Sequence, residues 1–481
     1  MTSIRKIATG VRGLDVLLRG GIPEGRATLL AGARGTGKTV LALQVAAHLA
    51  RTGYPTILVA VEESPEDLCT SGDALGLDCT GLQQAGAIAI ADATRFDGAT
   101  IVSGEYDLQG LRHRLEALAG QLGARALVLD SVSALFSPRP PPEDLQGNVF
   151  QLVASFRSLG LTSIILAESH AFLDLTARGD DGFMCDVTIL LRNRADGGHR
   201  QRSIEVRSYR RSPHVTGQYP CVIGPHGVMV FPLEADDTAV ASGETAASRL
   251  EGARVSTGIA GLDELTRGGW FRDSVAVVRG PSGCGKTLLA GQFASAGAAR
   301  GEQVAYYAFE ESRPRLLSTV RDMGVDLMPF IESSRVRVCC RYAAVTSQDD
   351  LLADVLVDLE ERKPSLLIFD GISSLARSWS RRMFRQFTAV LAAIVRESRC
   401  TALVTYDHDA GDVASASITA DLSPLADAIL SIDVSMSQDA VTRLVRLVKS
   451  RGSAFAAGPH RLSIERSGPV VTRLASAATA R

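Results

Sequence analysis

With 481 residues, 46% of them hydrophobic and 22% charged, the chain is long enough for two or three globular domains and too apolar to be disordered. Its 51 basic and 53 acidic side chains leave a net charge of −2, so the whole-chain balance gives no electrostatic case for a surface that coats nucleic acid or an anionic membrane, a local basic patch apart. Eight scattered cysteines without a C-x-x-C spacing exclude a disulfide framework and a zinc ribbon, and no run approaches the roughly 20 apolar residues of a membrane span; a soluble, cytoplasmic protein is expected.

In chain order, an apolar run at residues 27–31 leads into Gly32-Ala33-Arg34-Gly35-Thr36-Gly37-Lys38-Thr39, and a helical pattern over 40–49 follows. This is G-x-x-x-x-G-K-[ST] in the strand, loop, helix setting of a phosphate-binding loop, the P-loop. Small residues let backbone N–H groups turn toward phosphates, the new helix presents its positive end, Lys38 adds a charge and the Thr39 hydroxyl suits Mg²⁺. A β-rich run over 56–61 ends at Glu62-Glu63. Runs at 87–90 and 126–129 follow, the latter closed by Asp130, then runs at 163–167 and 187–191 and an apolar edge strand within 227–232.

Residues 233–253, rich in Ala, Ser, Thr, Glu and Asp, read as a linker. After them the pattern starts again. Residues 257–263 repeat residues 9–15, Gly280-Pro281-Ser282-Gly283-Cys284-Gly285-Lys286-Thr287 repeats the P-loop, and Glu310-Glu311 repeats the acid pair, all at an offset of 248. Strand-like runs fall at 275–278, 303–308, 335–339, 366–369 with Asp370 behind it, 401–405 and 428–432. Two copies of one α/β domain are expected, 1–232 and 254–481, each a mainly parallel sheet flanked by helices with its ligand beyond the strand carboxyl ends.

The chemistry expected is nucleotide hydrolysis. Gly32, Gly35, Thr36, Gly37, Lys38 and Thr39, with Gly280, Gly283, Cys284, Gly285, Lys286 and Thr287, are the ATP-binding candidates; Thr39, Asp130, Thr287 and Asp370 are candidates for Mg²⁺. Glu62, Glu63, Glu310 and Glu311 follow the second strand, where an acceptor for an attacking water is needed, and either member of each pair fits. Lysine is scarce, occurring only at positions 6, 38, 286, 363 and 449, and two of the five stand in the P-loops. His408 near Asp407, Asp409 and Asp412 reads as a solvated loop rather than a metal cluster.

Over nearly its whole length the chain resembles the KaiC group of RecA-like ATPases, through both P-loops, both Glu pairs, both strands ending in Asp, the Ser256-Thr257-Gly258 and Gly261-Leu262-Asp263 segment, Phe384-Arg385-Gln386-Phe387 and Gly217-Gln218-Tyr219-Pro220. The resemblance implies tandem RecA-like domains and a homo-oligomer, two stacked rings of six with ATP between neighbours. It also implies residues acting across the interface: Lys449 and Arg451 in the second copy, and Arg210 and His214 in the first, which lacks the lysine. Arg377 and Arg385 match interface arginines. Clock members of the group phosphorylate an adjacent Ser/Thr pair of their own; here Ser423 supplies one hydroxyl and Pro424 stands in place of the other, so Ser423 is the candidate acceptor and an ordered two-site cycle is not expected. Met323 replaces an aromatic expected against adenine, and the long C-terminal tail of clock members is not expected here. A protein signalling partner is implied; nucleic acid is not. Competing readings are an ATPase without kinase activity, a DNA-handling motor on the same core, and a scaffold that uses ATP only to assemble.

Overall fold

The computed structural model describes residues 4–11, 13–93, 108–135, 142–168, 185–196, 199–232, 253–408, 422, 426–436, 441–451 and 458–474. Contacts divide the chain into two compact units, Met1–Ala195 with Arg200–Pro232 and Asp196–His199 with Leu233–Arg481. Each is built on a nine-stranded sheet.

The first sheet contains β1 (Ala27–Gly32), β2 (Thr56–Ala60), β3 (Ile88–Asp92), β4 (Ala126–Asp130), β5 (Thr162–Ala167), β6 (Val187–Asp196), β7 (His199–Tyr209), β8 (Tyr219–Gly224) and β9 (Gly227–Val230), in the spatial order β9-β8-β7-β6-β1-β5-β4-β2-β3. The second contains β10 (Val275–Gly280), β11 (Val304–Ala308), β12 (Val336–Cys340), β13 (Leu366–Asp370), β14 (Thr401–Asp407), β15 (Ala428–Met436), β16 (Val441–Ser450), β17 (His460–Glu465) and β18 (Gly468–Arg473). Its order, β18-β17-β16-β15-β10-β14-β13-β11-β12, is the first repeated strand for strand. β1 lies parallel between β5 and β6, and β10 parallel between β14 and β15. The α/β class and mainly parallel sheets follow as expected.

Why these runs become strands is plain from burial. Successive residues alternate between the sheet's faces, and both faces are covered: Leu30, Leu58 and Val128 join one core with helix α1 (Lys38–Arg51), while Leu29, Ile57 and Leu127 join another with α3 (Leu108–Leu122) and α4 (Pro142–Ser158). Two buried faces demand unbroken apolar runs. Between β2 and helix α2 (Pro65–Ala74), Ser64 caps the helix by accepting from the Asp67 N–H, and Pro65 occupies the first turn. The cap starts α2 directly after Glu62-Glu63, so the pair sits on the strand-to-helix turn. In the second unit α5 (Lys286–Ala299), α6 (Arg313–Asp322), α7 (Gln348–Glu361), α8 (Ser373–Ser378) and α9 (Arg381–Glu397) take the corresponding roles.

The sheets extend further than the sequence patterns imply. Strands β7 and β8, and β16 to β18, fall outside the expected runs; β7 reads HRQRSIEVRSY and buries His199, Ile204, Val206 and Tyr209. One covered face and one wet face make such strands look like loops. Both P-loop helices also begin at the lysine, two residues before the expected start. The expected linker, apart from Ala253, lies outside the described residues.

Candidate functional site

Because β1, β2, β4 and β5 run parallel, their carboxyl ends open on one edge of the first sheet, with Ala31 in register with Ala167 and Ala60 with Asp130. The P-loop leaves β1 at that edge. Gly35 and Gly37 hold φ of 73° and 99°, and Gly37 ends the loop as the N-cap of α1. Thr36 Oγ1 donates to the Ala33 carbonyl over 2.8 Å, and Lys38 Nζ donates to the carbonyls of Gly32 and Ala33 at 2.8 and 3.0 Å. Burial lowers the Lys38 pKa, opposed by the charges of Glu168, Asp130 and Glu62. Asp130 is pushed up to about 6, by burial first, although the Thr39 hydroxyl bonds its carboxylate. Ser131 Oγ donates to Glu62 Oε1 over 2.6 Å, and Glu62 and Glu63 are both exposed.

The second edge uses the same parts in a tighter arrangement. Gly283 and Gly285 hold φ of 76° and 106°, and the side chain of Cys284 is fully buried in the loop, its thiol pushed up by that burial. Lys286 Nζ donates to the carbonyls of Gly280 and Pro281 at 3.0 and 2.8 Å. It also pairs with Asp407 Oδ1 at 2.9 Å. Asp370 takes hydrogen bonds from Thr405, from Tyr306 at 2.9 Å and from Thr287; burial drives its pKa up. Tyr306, enclosed against that carboxylate, titrates well above the usual range. Ser374 Oγ donates to Glu310 Oε1 at 2.7 Å, and Arg377 bridges Glu310 at 3.1 Å and Asp407 at 3.4 Å. Glu311 keeps a long ion pair to Arg315, 3.9 Å, while its buried Oε2 has no hydrogen-bond partner.

The structure thus gathers the P-loop residues, the threonine–aspartate pairs and Glu62 or Glu310 at one edge of each sheet. Arg210, Lys449 and Arg451 stand elsewhere. The Arg210 N–H donates to the Asp186 carbonyl and the Asp186 N–H to that of Ala27, at the start of β1; Arg451, Asp427 and Val275 repeat the chain of bonds at the start of β10. A six-residue strand, about 20 Å, separates these starts from the P-loops. Lys449 pairs with Ile429 just where β16 carries a bulge against β15, and burial, then the neighbouring Arg451, lowers its pKa. His214 follows β7 on the same connection as Arg210. Ser423 and Pro424 lie outside the described residues. Met323 ends α6 with 37% of its surface exposed.

The sequence motifs mark neither the serines that hold the glutamates, Ser131 and Ser374, nor the residues around the next strand end. Asp407 is not part of a solvated loop; it is the last residue of β14, faces Gly280 in register and pairs with the P-loop lysine. Its counterpart Glu168 follows β5 and pairs with Arg34 of the first P-loop at 2.6 Å. Ser133 and Ser373 bond the backbone N–H groups of Glu168 and Asp407. An apolar strand ending in an acid, the rule that found Asp130 and Asp370, would have found Asp407 and Glu168 on the next strand. Among the described residues no cluster of His, Cys, Asp or Glu has the form of a metal site, and no helix is long and apolar enough to cross a membrane.

A P-loop on the central strand, a threonine–aspartate pair and an acid on the second strand, all present twice, define a tandem RecA-like P-loop NTPase. The family model described as "ATPase: KaiC" matches residues 7–235 and again 255–476. The chain belongs to the KaiC family of ATPases, whose membership implies nucleotide binding. It is 32% identical over 470 residues to the "Circadian clock oscillator protein KaiC" of Picosynechococcus sp., covering 97% of this chain and 90% of that one. It is 31% identical over 468 residues to "Circadian clock oscillator protein KaiC 1" of Synechocystis sp. and 30% over 469 residues to the protein of Synechococcus elongatus, each alignment covering 97% of this chain and 89% of the relative.

Proposed function

We propose that the chain hydrolyses ATP at both P-loops, in a hexameric double ring with ATP between neighbouring subunits, and that the second copy autophosphorylates Ser423. The observation that carries the ATPase reading is the meeting at one strand edge, twice, of a P-loop lysine, a threonine–aspartate pair and a serine-held glutamate. Lys38 and Lys286 take the charge of the phosphates as the carbonyls now bonded to them give way. Thr39 with Asp130, and Thr287 with Asp370, are oxygen donors suited to a hard cation; they would hold Mg²⁺, which supplies charge neutralisation when bound. Glu62 or Glu310 accepts a proton from water as its oxygen attacks the γ-phosphorus and ADP departs.

Assembly into rings is supported by the position of the cations Arg210, Lys449 and Arg451 at the far strand ends, remote from their own P-loops. A role in timing or signalling, in the cytoplasm and through a protein partner, rests on likeness to the clock proteins. The reading without kinase activity rests on Pro424, which removes the second hydroxyl of the pair.

Replacing Glu62, Glu63, Glu310 and Glu311 together by Gln should lower turnover by about 100-fold or more while ATP still binds. Unchanged turnover would overturn the assignment and favour a scaffold. Intact-mass measurement after incubation with Mg-ATP should show a gain of about 80 Da that Ser423→Ala abolishes; no gain would remove the kinase.

A further inference from the structure

We propose that Asp407 and Arg377 form a charge relay that ties occupancy of the second P-loop to the release of Glu310; this rests on the reading of that site as an ATPase. Four charged side chains stand in line. Lys286 Nζ lies 2.9 Å from Asp407 Oδ1, Asp407 Oδ2 lies 3.4 Å from Arg377 Nη1, and Arg377 Nη2 lies 3.1 Å from Glu310 Oε1. The link at the P-loop is the most enclosed, with the lysine side chain 9% exposed and the aspartate 24%, so salt screens it least. Arg377, 60% exposed, has room to swing. Asp407 is fixed by its register opposite Gly280 and by the bond from its N–H to Ser373.

In this structure the P-loop lysine is neutralised by the chain's own carboxylate, and Glu310 Oε1 is occupied by Arg377 and Ser374. A phosphate arriving at Lys286 competes with Asp407 for the same ammonium, and two anions on one cation repel. The displaced carboxylate has one cation already in contact, Arg377. Drawing both guanidinium nitrogens toward Asp407 lifts Nη2 off Glu310, which keeps its serine bond and gains a lone pair for water. Asp407 is then a displaceable counter-ion and Arg377 a positioning residue. The first copy is wired otherwise: Glu168 is paired with Arg34, Lys38 rests on carbonyls, and Glu62 is bonded by Ser131.

The test uses the full chain carrying Glu62→Gln and Glu63→Gln, so that turnover reports the second copy, and measures steady-state ATP hydrolysis. Asp407→Asn uncovers Lys286 but leaves Arg377 on Glu310, so KM should fall about tenfold and kcat should also fall about tenfold. Arg377→Gln leaves Asp407 on the lysine with no other partner, so KM should rise severalfold with kcat retained. Adding Arg377→Gln to Asp407→Asn should restore kcat, a rescue that a merely structural role would not produce. A rise in KM in Asp407→Asn, no change in either constant, or a double variant no faster than Asp407→Asn overturns the relay. Should Asp407→Asn fail to fold, loss of kcat in Arg377→Gln overturns it alone. Failure of the underlying reading is separate: there, Glu310→Gln with Glu311→Gln would leave turnover in this background unchanged.

Discussion

Asp130 closes β4 with its carboxyl largely enclosed. Its carboxyl, pushed up to about 6 from 3.8 mainly by burial, binds a proton more tightly in the folded chain than in the unfolded one. Between those two pH values the folded state carries the extra proton, so stability falls as pH rises through the window, and the penalty is complete above it. Asp130→Asn carries no such charge. In the absence of nucleotide and Mg²⁺, the variant should be more stable than the parent at pH 8, by up to about 3 kcal/mol, with the advantage shrinking as pH falls from 6 to 4. Turnover at the first site should be lost in the same variant, an exchange of stability for function at an enclosed acid. Denaturant unfolding at pH 8 and pH 4 reads the difference; equal stabilities at pH 8 would show that burial of the charge costs nothing. Asp370 lies deeper, and Tyr306, Thr405 and Thr287 offset part of its burial, so its penalty depends on three donors rather than one.

At the scale of elements, the turn from P-loop to helix is where the two copies share a constraint and differ in packing. Gly37 and Gly285 both hold left-handed backbone, φ 99° and 106°. A Cβ on Gly285 would meet only Ile464 and Leu462, at 3.6 and 3.7 Å, whereas on Gly37 it would come within 2.8 Å of Ile223 Cδ1. Alanine at either position should cost about 1–2 kcal/mol for the backbone alone. Gly37→Ala should cost more, because the Ile223 side chain has to move as well; chemical denaturation of the two variants checks the order, and the reverse order would contradict the packing. Both glycines were legible in the sequence, as were Lys38, Asp130 and their partners, because phosphate chemistry restricts the residue types and two-sided burial keeps each parallel strand apolar. The outer antiparallel strands were not: β7 and β16 alternate charged and apolar residues, and only pairing in the sheet distinguishes them from a polar loop. Asp407 reads two ways: its neighbours His408 and Asp409 suggest a loop, while the apolar residues before it mark a strand end. Arg377 was matched to an interface, and its contacts with Glu310 and Asp407 depend on α8 folding back over the strand ends, which no local pattern encodes.

For the whole molecule, the decisive feature is that the cations Lys449 and Arg451 stand about a strand's length from Lys286, at the opposite end of the same sheet. A side chain cannot cross that distance, so if these cations serve an ATP phosphate it is a neighbour's, and each working site is then composed of halves from two subunits. Two defects on opposite halves should therefore complement. In a background silenced at the first site by Glu62→Gln and Glu63→Gln, Lys449→Ala with Arg451→Ala removes the donated half, and Glu310→Gln with Glu311→Gln removes the receiving half; each should be inactive alone by about 100-fold. Mixed in equal amounts and allowed to exchange subunits, they should recover activity, because an intact Glu310 then meets an intact Lys449 at about one interface in four by random assortment. Recovery near that fraction requires shared sites. No recovery, with exchange verified by differently labelled subunits, would mean that Lys449 and Arg451 act within their own chain or only stabilise the far end of the sheet through Asp427, to which Arg451 is already paired at 3.5 Å.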